Sequence, residues 1–164
     1  MYGFRFAKRE DVALILKFIR ALAEYEKMAD QVVADEALLE HTLFDLEQAR
    51  VLFVTEDGEE RGFALFFHNY STFQGRAGIY LEDLYVMPEY RGRGLGKALL
   101  TRLAAIAVEE NCGRLEWSCL DWNKPSIDFY LSLGAMAKDA WTGYRLSGET
   151  LHALAAQSGG DITG

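Results

Sequence analysis

Tyr90-Arg91-Gly92-Arg93-Gly94-Leu95-Gly96-Lys97 is the stretch on which the reading of this chain turns. It follows an apolar extended run, Ile79 to Met87, and opens the best helical pattern in the sequence, Leu95 to Val108. A strand that feeds a glycine-rich turn into a helix leaves backbone N–H groups unpaired at the positive end of the helix dipole. Such a turn is a cradle for a phosphate or pyrophosphate. Its glycines let the main chain approach a ligand with no Cβ in the way, and Arg91 and Arg93 add positive charge. A Walker A loop would end Gly-Lys-Ser/Thr, but here Gly96-Lys97 is followed by Ala98, with no hydroxyl for magnesium. A dinucleotide fingerprint needs Gly-x-Gly-x-x-Gly, and the third glycine comes one place too early. What fits is Arg-x-x-Gly-x-Gly, from Arg91 to Gly96, after a strand ending Leu84-Tyr85-Val86-Met87-Pro88.

Working outward from this turn, Phe4 to Ala7 reads as a first strand. Val12, Ile15, Leu16, Ile19, Leu22 and Ala23 recur at helical spacing and predict a helix from about Glu10 to Glu26. A second short helix is expected from an N-cap at Asp35 to near Phe44. Val51 to Val54 and Gly62 to Tyr70 are β-rich runs flanking Asp57-Gly58, a hairpin signal. Past the helix that the glycine turn opens, Leu115 to Leu120 reads as a strand. Pro125 suits the first turn of a helix, Ser126 to Leu133, that stops at Gly134. Ala137 to Leu146 is expected to supply the final strands and Gly148 to Ala156 a last helix. The order describes an α/β (α+β) chain, a mixed sheet flanked by helices.

The composition sets bounds on what such a chain can do. With 164 residues, half of them hydrophobic, one domain with a sizeable core is expected, over residues 1–157, with a mobile tail at 158–164. The formal charge of −8 argues against nucleic acid, which demands a basic footprint. It is compatible with a small cationic substrate drawn in by a negative field, and equally with ordinary solubility. No apolar run approaches a membrane span, and Met1-Tyr2-Gly3-Phe4-Arg5 lacks the layout of a signal peptide. Cys112 and Cys119 lack metal-ligand spacing and are expected to stay reduced, so the cytoplasm is the expected compartment.

Three residues carry candidate chemistry. Glu82 and Asp83 lie in the middle of a strand, where acids are costly unless paired, solvated or functional. In a regular strand they point to opposite faces, so at most one faces a given cleft, unless a bulge re-aims the other. Tyr130, on the short helix after Pro125, carries a phenol that is protonated at neutral pH, with an ordinary pKa of ~10, and can donate a proton.

The glycine turn with its preceding strand resembles the pyrophosphate-binding motif of the GNAT N-acetyltransferases. The order of elements resembles that family's fold, which implies a mixed, mostly antiparallel central sheet of about six to seven strands. Asn123-Lys124-Pro125-Ser126-Ile127-Asp128-Phe129-Tyr130-Leu131-Ser132-Leu133-Gly134-Ala135 is similar to a second segment of the superfamily. Tyr25-Glu26, Tyr80 to Val86 and Asp121-Trp122-Asn123 resemble the diamine (spermidine/spermine) branch, with the thialysine acetyltransferases as relatives.

The resemblance implies acetyl-CoA as co-substrate, with its pyrophosphate on the backbone of Arg91, Gly92, Arg93, Gly94, Leu95, Gly96 and Lys97. Its pantetheine arm would pair with the strand at Leu84, Tyr85 and Val86, leaving the Val86 amide near the thioester oxygen. Asn123 and Ser126 would meet the same arm, and Tyr130 would protonate the departing thiolate. Tyr25, Glu26, Glu82 and Asp83 would line a groove for a cationic chain. Glu82 is the expected base, acting through water, with Asp83 sharing that role if a bulge re-aims it. No metal, nucleic acid or membrane is expected, and a homodimer is. Trp141-Thr142-Gly143-Tyr144 departs from the polyamine pattern by one carboxylate and one Trp, which makes a shorter amine or a lysine-like amino acid credible. The rival readings are a transferase acting on a protein or peptide amine, and a non-catalytic acyl-CoA-binding regulatory module.

Overall fold

A computed structural model describes residues 1–164, with five strands, five α-helices, three short 3-10 turns and a π-helical turn, His41–Asp45. The strands are β1 (Tyr2–Phe6), β2 (Arg50–Glu56), β3 (Glu59–Ser71), β4 (Arg76–Val86) and β5 (Leu115–Trp117). The helices are α1 (Val12–Tyr25), α2 (Glu36–Glu40), α3 (Leu95–Glu109), α4 (Lys124–Ser132) and α5 (Gly148–Ala155). The chain divides into two compact units, Met1–Trp122 and Asn123–Gly164.

In the first unit the five strands form one sheet in sequence order. Neighbours from β1 to β4 are antiparallel, and β5 joins β4 in parallel. The turn between β2 and β3 is Asp57-Gly58 with φ of 54° and 82°, both left-handed, as a two-residue hairpin of this twist requires. Val51-Leu52-Phe53-Val54 is buried throughout because both faces of β2 are covered. Val51 and Phe53 join Phe63 and Tyr85 in a core with Val12, Ile15, Leu16 and Phe18 of α1. Alternation turns Leu52 and Val54 to the other face, where α3 contacts β2, β3 and β4 and buries Leu95, Leu99 and Leu103. Phe18 is the hub of the first core. Its ring lies 5.5 Å from Phe63, 5.8 Å from Tyr85 and 6.1 Å from Phe53, so α1 is seated across three strands. Burying side chains of this size contributes about 1.5–3 kcal/mol each.

One irregularity decides how the sheet serves the site. Leu65 pairs with Asp83 but Phe66 pairs with Leu81, so Glu82 is an extra residue on β4, a β-bulge. Beyond it the alternation is reset, and Asp83 shares a face with Tyr85 and Phe63, the face on which α1 packs. The parallel ladder with β5 runs only from Ile79↔Leu115 to Leu81↔Trp117 and ends where the bulge begins. This corrects the expected strand Leu115 to Leu120, since a ladder cannot be carried past a break in its partner.

In the second unit, Pro125 sits in the first turn of α4, and Gly134 at φ 89° ends it. The Gly134 and Ala135 amides donate back to the Leu131 and Tyr130 carbonyls at 3.0 and 3.2 Å. Residues 135–147 form no strand, against the strands expected at Ala137 to Leu146, and the sheet has five strands rather than six to seven. Their one turn is closed by the Trp141 amide on the Lys138 carbonyl at 3.2 Å. Strand propensity is realised only against a neighbouring strand, and this unit contains none.

Candidate active site

The glycine turn has the backbone that a phosphate cradle needs. Gly92 and Gly94 lie at φ 77° and 83°, and a Cβ on either would meet nothing within 4 Å, so glycine is required there by conformation alone. The first backbone bond of α3 runs from the Ala98 N–H to the Gly94 carbonyl at 2.9 Å, and no carbonyl of the chain meets the amides of residues 92–97. The two arginines are not spare charges. Arg91 Nε donates to the Val86 carbonyl at 2.8 Å, and Arg93 Nη1 donates to Glu56 at 2.9 Å. The guanidinium groups of Arg61 and Arg93 stand 4.1 and 5.2 Å from the ring centre of Tyr90. The side chains thus brace the turn against β2 and β4, leaving the main-chain amides and the exposed Lys97 for an anion.

The strand edge beside the turn is also open. The Met87 N–H bonds the Arg61 carbonyl at 2.8 Å, so the alternation of an antiparallel ladder turns the Val86 amide away from β3. It faces the edge that β5 has already left. Gly62 makes the close pairing at this point possible, because a Cβ there would stand 3.0 Å from Val86 Cα and closer still to the Tyr85 carbonyl oxygen. An extended acyl arm could therefore add to β4 between Asp83 and Val86 as a strand would.

Three carboxylates gather on the α1 side of this edge. Burial first, then Glu82 and Glu26, push the Asp83 carboxyl up to about 6. Burial, then Glu82, raises Glu26 at the end of α1. None of Glu26, Glu82 or Asp83 has an ion-pair or hydrogen-bond partner in the chain, in contrast to Asp11, which Arg5 holds below the usual range. An uncompensated acidic group of this kind attracts a cation and can accept a proton from it. Cys119 feels the same acids. Burial and then Glu26 and Asp121 push its thiol up, and burial raises Cys112, so neither is a thiolate nucleophile.

The aromatic faces nearby are engaged by the chain's own cations. Tyr25 has the Arg91 guanidinium 5.1 Å from its ring centre and the Trp122 ring at 6.1 Å. The Lys27 ammonium lies 4.8 Å from the Trp122 ring centre, and Arg91 also stands 5.4 Å from Tyr85. The expected aromatic receptor at Tyr25 is therefore part of a stack, Tyr85–Arg91–Tyr25–Trp122–Lys27, that ties the glycine turn to the end of α1. Sequence reading had not singled out Lys27 or assigned Trp122 a contact, because cation and ring are far apart in the chain.

In the second unit Asn123 precedes α4, its carbonyl accepting from the Ile127 N–H at 3.0 Å. Tyr130 lies in the last turns of that helix, half-buried, with its ring 5.6 Å from Phe129. Ser126 is half-buried one turn earlier. His68, Glu110 and Cys112 bring ligand atoms within 4.8 Å of one another on the first unit. Both Glu110 oxygens already accept from Arg50, at 2.7 and 2.9 Å, so a metal ion there would have to displace a guanidinium.

The sequence matches the acetyltransferase (GNAT) family over residues 17–135. The chain belongs to the GNAT acetyltransferase family. It is 40% identical to a thialysine N-epsilon-acetyltransferase of Bos taurus, over 93% of this chain and 96% of that one. It is 32% identical to an L-ornithine N5-acetyltransferase of Arabidopsis thaliana, over 92% of this chain and 86% of the relative. Among solved structures, an integron cassette protein from the mobile metagenome of V. cholerae superposes with a TM-score of 0.80 at 28% identity, covering 96% of this chain and 98% of its own. The GNAT fold expected from the motifs is thus the fold found, and the protein is an acetyltransferase.

Proposed function

We propose that this acetyltransferase moves the acetyl group of acetyl-CoA to the primary amine of a small cationic molecule, a diamine or an amino acid with a terminal amine. The observation that carries this reading is the uncompensated acidic group Glu26–Glu82–Asp83 beside an open strand edge and a row of free amides. The named relatives act on thialysine and ornithine, small molecules with a terminal amine, which supports it. The family match covers residues 17–135 and so passes from the first unit into the second, which supports reading the two as parts of one catalytic domain, taken here as residues 1–157.

Acetyl-CoA supplies an activated acyl group. The amides from Gly92 to Lys97 bind its pyrophosphate, and the edge at Leu84, Tyr85 and Val86 takes its arm, with the Val86 N–H as donor to the acyl oxygen. Asn123 and Ser126 contact the same arm. Glu82, exposed on the bulge, meets the incoming ammonium. Asp83, whose affinity for protons is raised to about 6, is suited with Glu82 to take the proton that must leave before the nitrogen can attack. The amine attacks directly, the bond from acyl carbon to sulfur breaks, and Tyr130 gives its proton to the leaving thiolate.

The protein works in the cytoplasm as a homodimer in this reading. The free thiols at Cys112 and Cys119 suit a reducing compartment, and no helix is long and apolar enough to cross a membrane. The exposed apolar side chains Met136, Trp141, Tyr144 and Leu146 suit burial against a second copy. The test is thiol release from acetyl-CoA with a panel of diamines, polyamines, amino acids and a lysine peptide. Turnover confined to small amines is expected, and release with the peptide alone would overturn it.

A further inference from the structure

The acidic group accounts for an ammonium, but not for the cation placed beside it. Lys27 directly follows Glu26 at the end of α1, with φ at 61°, a left-handed conformation that residues other than glycine seldom adopt. The reversal is closed by the Lys27 amide on the Glu24 carbonyl at 3.1 Å and the Met28 amide on the Ala23 carbonyl at 2.8 Å. It lays the side chain on Trp122, with the ammonium 4.8 Å from the ring centre. No carboxylate pairs with that ammonium, although Glu26 is its neighbour in sequence. Burial and the charge of Glu82 raise both Glu26 and Asp83, Glu26 adds to the effect on Asp83, and no cation offsets it on either. Lys27 is exposed and Trp122 is 49% exposed, so both are within reach of a solute. An ammonium held on an indole face retains N–H donors for an acceptor, and the chain offers it none.

The mouth of the amine site therefore has two poles, carboxylates at Glu26, Glu82 and Asp83, and an ammonium at Lys27. We propose that Lys27 is the specificity-determining residue that receives the carboxylate of an amino-acid substrate while its terminal ammonium enters the acidic group. The inference rests on the amine-acetylating reading above and sharpens it. The substrate class is the ω-amino acid rather than the di- or polyamine. A polyamine presents only positive charge, so it gains nothing at Lys27 and is repelled there. The Trp122 ring and the Tyr25–Arg91 stack behind it fix where the ammonium stands.

The test uses the full chain with lysine and ornithine, their carboxamides, and cadaverine and putrescine, the diamines that remain once the carboxylate is removed. Lys27→Met keeps the apolar stem on Trp122 and removes the charge, and Lys27→Arg keeps the charge. Loss of one charge-assisted contact is expected to lower kcat/KM for the amino acids about tenfold, through KM, with kcat held. The amides and diamines should lose nothing, and Lys27→Arg should retain most of the preference. Equal losses on all three classes would show a structural role and overturn the assignment, as would no loss on the amino acids. An unsubstituted enzyme whose kcat/KM for the diamines equals or exceeds that for the amino acids overturns the assignment but leaves amine acetylation standing. One that releases no thiol with any amine overturns the underlying reading as well.

Discussion

Asp83→Asn should make the protein more stable and less active at once. The Asp83 carboxyl is lifted from 3.8 to about 6 by burial and by the neighbouring Glu82 and Glu26. Between those values the folded chain holds a proton that the unfolded chain has released, so raising the pH through this window drains stability. At about 1.4 kcal/mol per pH unit separating the two states, the full cost above neutral pH is about 3 kcal/mol. An amide has nearly the same shape and no charge, so it is spared the cost of desolvating an ion. For a chain of this length, with roughly 2–4 °C per kcal/mol, Tm should rise by about 6–12 °C at about pH 8. The gain should fall to about half at about pH 5, where much of the wild-type carboxyl is already protonated, and vanish below the unfolded value. Thermal unfolding of both proteins across that range, followed by circular dichroism, measures it. The same substitution removes a proton acceptor, so kcat should drop by roughly 10²-fold or more. A substituted chain no more stable than wild type at about pH 8 would refute the reasoning, and so would a gain that ignores pH.

Tyr130→Phe should lower kcat by roughly 10²-fold and leave the Kd for coenzyme A unchanged, because only proton donation is removed. Single-turnover rates at saturating acetyl-CoA and calorimetric titration separate the two effects, and an unchanged rate removes the phenol from the chemistry. Gly94→Ala forces a Cβ into φ 83°, at about 1–2 kcal/mol. Titration with coenzyme A should show affinity weakened by roughly tenfold, and an unchanged Kd would mean that the turn does not hold the phosphates.

What could be read from the chain beforehand was what depends on neighbours in sequence. Asp57-Gly58 gave the hairpin, Asp35 the cap, its side chain accepting from the Leu38 N–H at 2.8 Å, and the glycines from Gly92 the turn into α3, though not its left-handed backbone. Each is a local conformational demand with few residue types able to meet it. The bulge at Glu82 was foreseen only as a condition for Asp83 to share the cleft. Its presence depends on the register between β3 and β4, which the pairing of both strands sets. The destinations of Arg91 and Arg93 were missed for a similar reason. Two cations beside a phosphate turn invite the reading that both face the ligand, but Val86 and Glu56 are close enough to engage them first. The strands expected from Ala137 to Leu146 failed for want of a partner strand, which propensity cannot supply.

One extra residue in β4 links these observations. Were Glu82 paired, Asp83 would face α3 instead of α1 and lie away from Glu26, one of the two charges that raise its affinity for protons. A continuous β4 would also remove the break at which β5 stops, and a longer ladder would cover the amides between Asp83 and Val86. The bulge thus sets a proton acceptor and an open edge within a few residues of each other, next to the turn whose amides are free. Neither alone makes a transferase, since an acid with no seat for the acyl arm binds cations only, and an open edge with no acid leaves the amine protonated. In the proposed mechanism acid and edge must coincide at one point of β4, and that is the point at which its ladder is irregular.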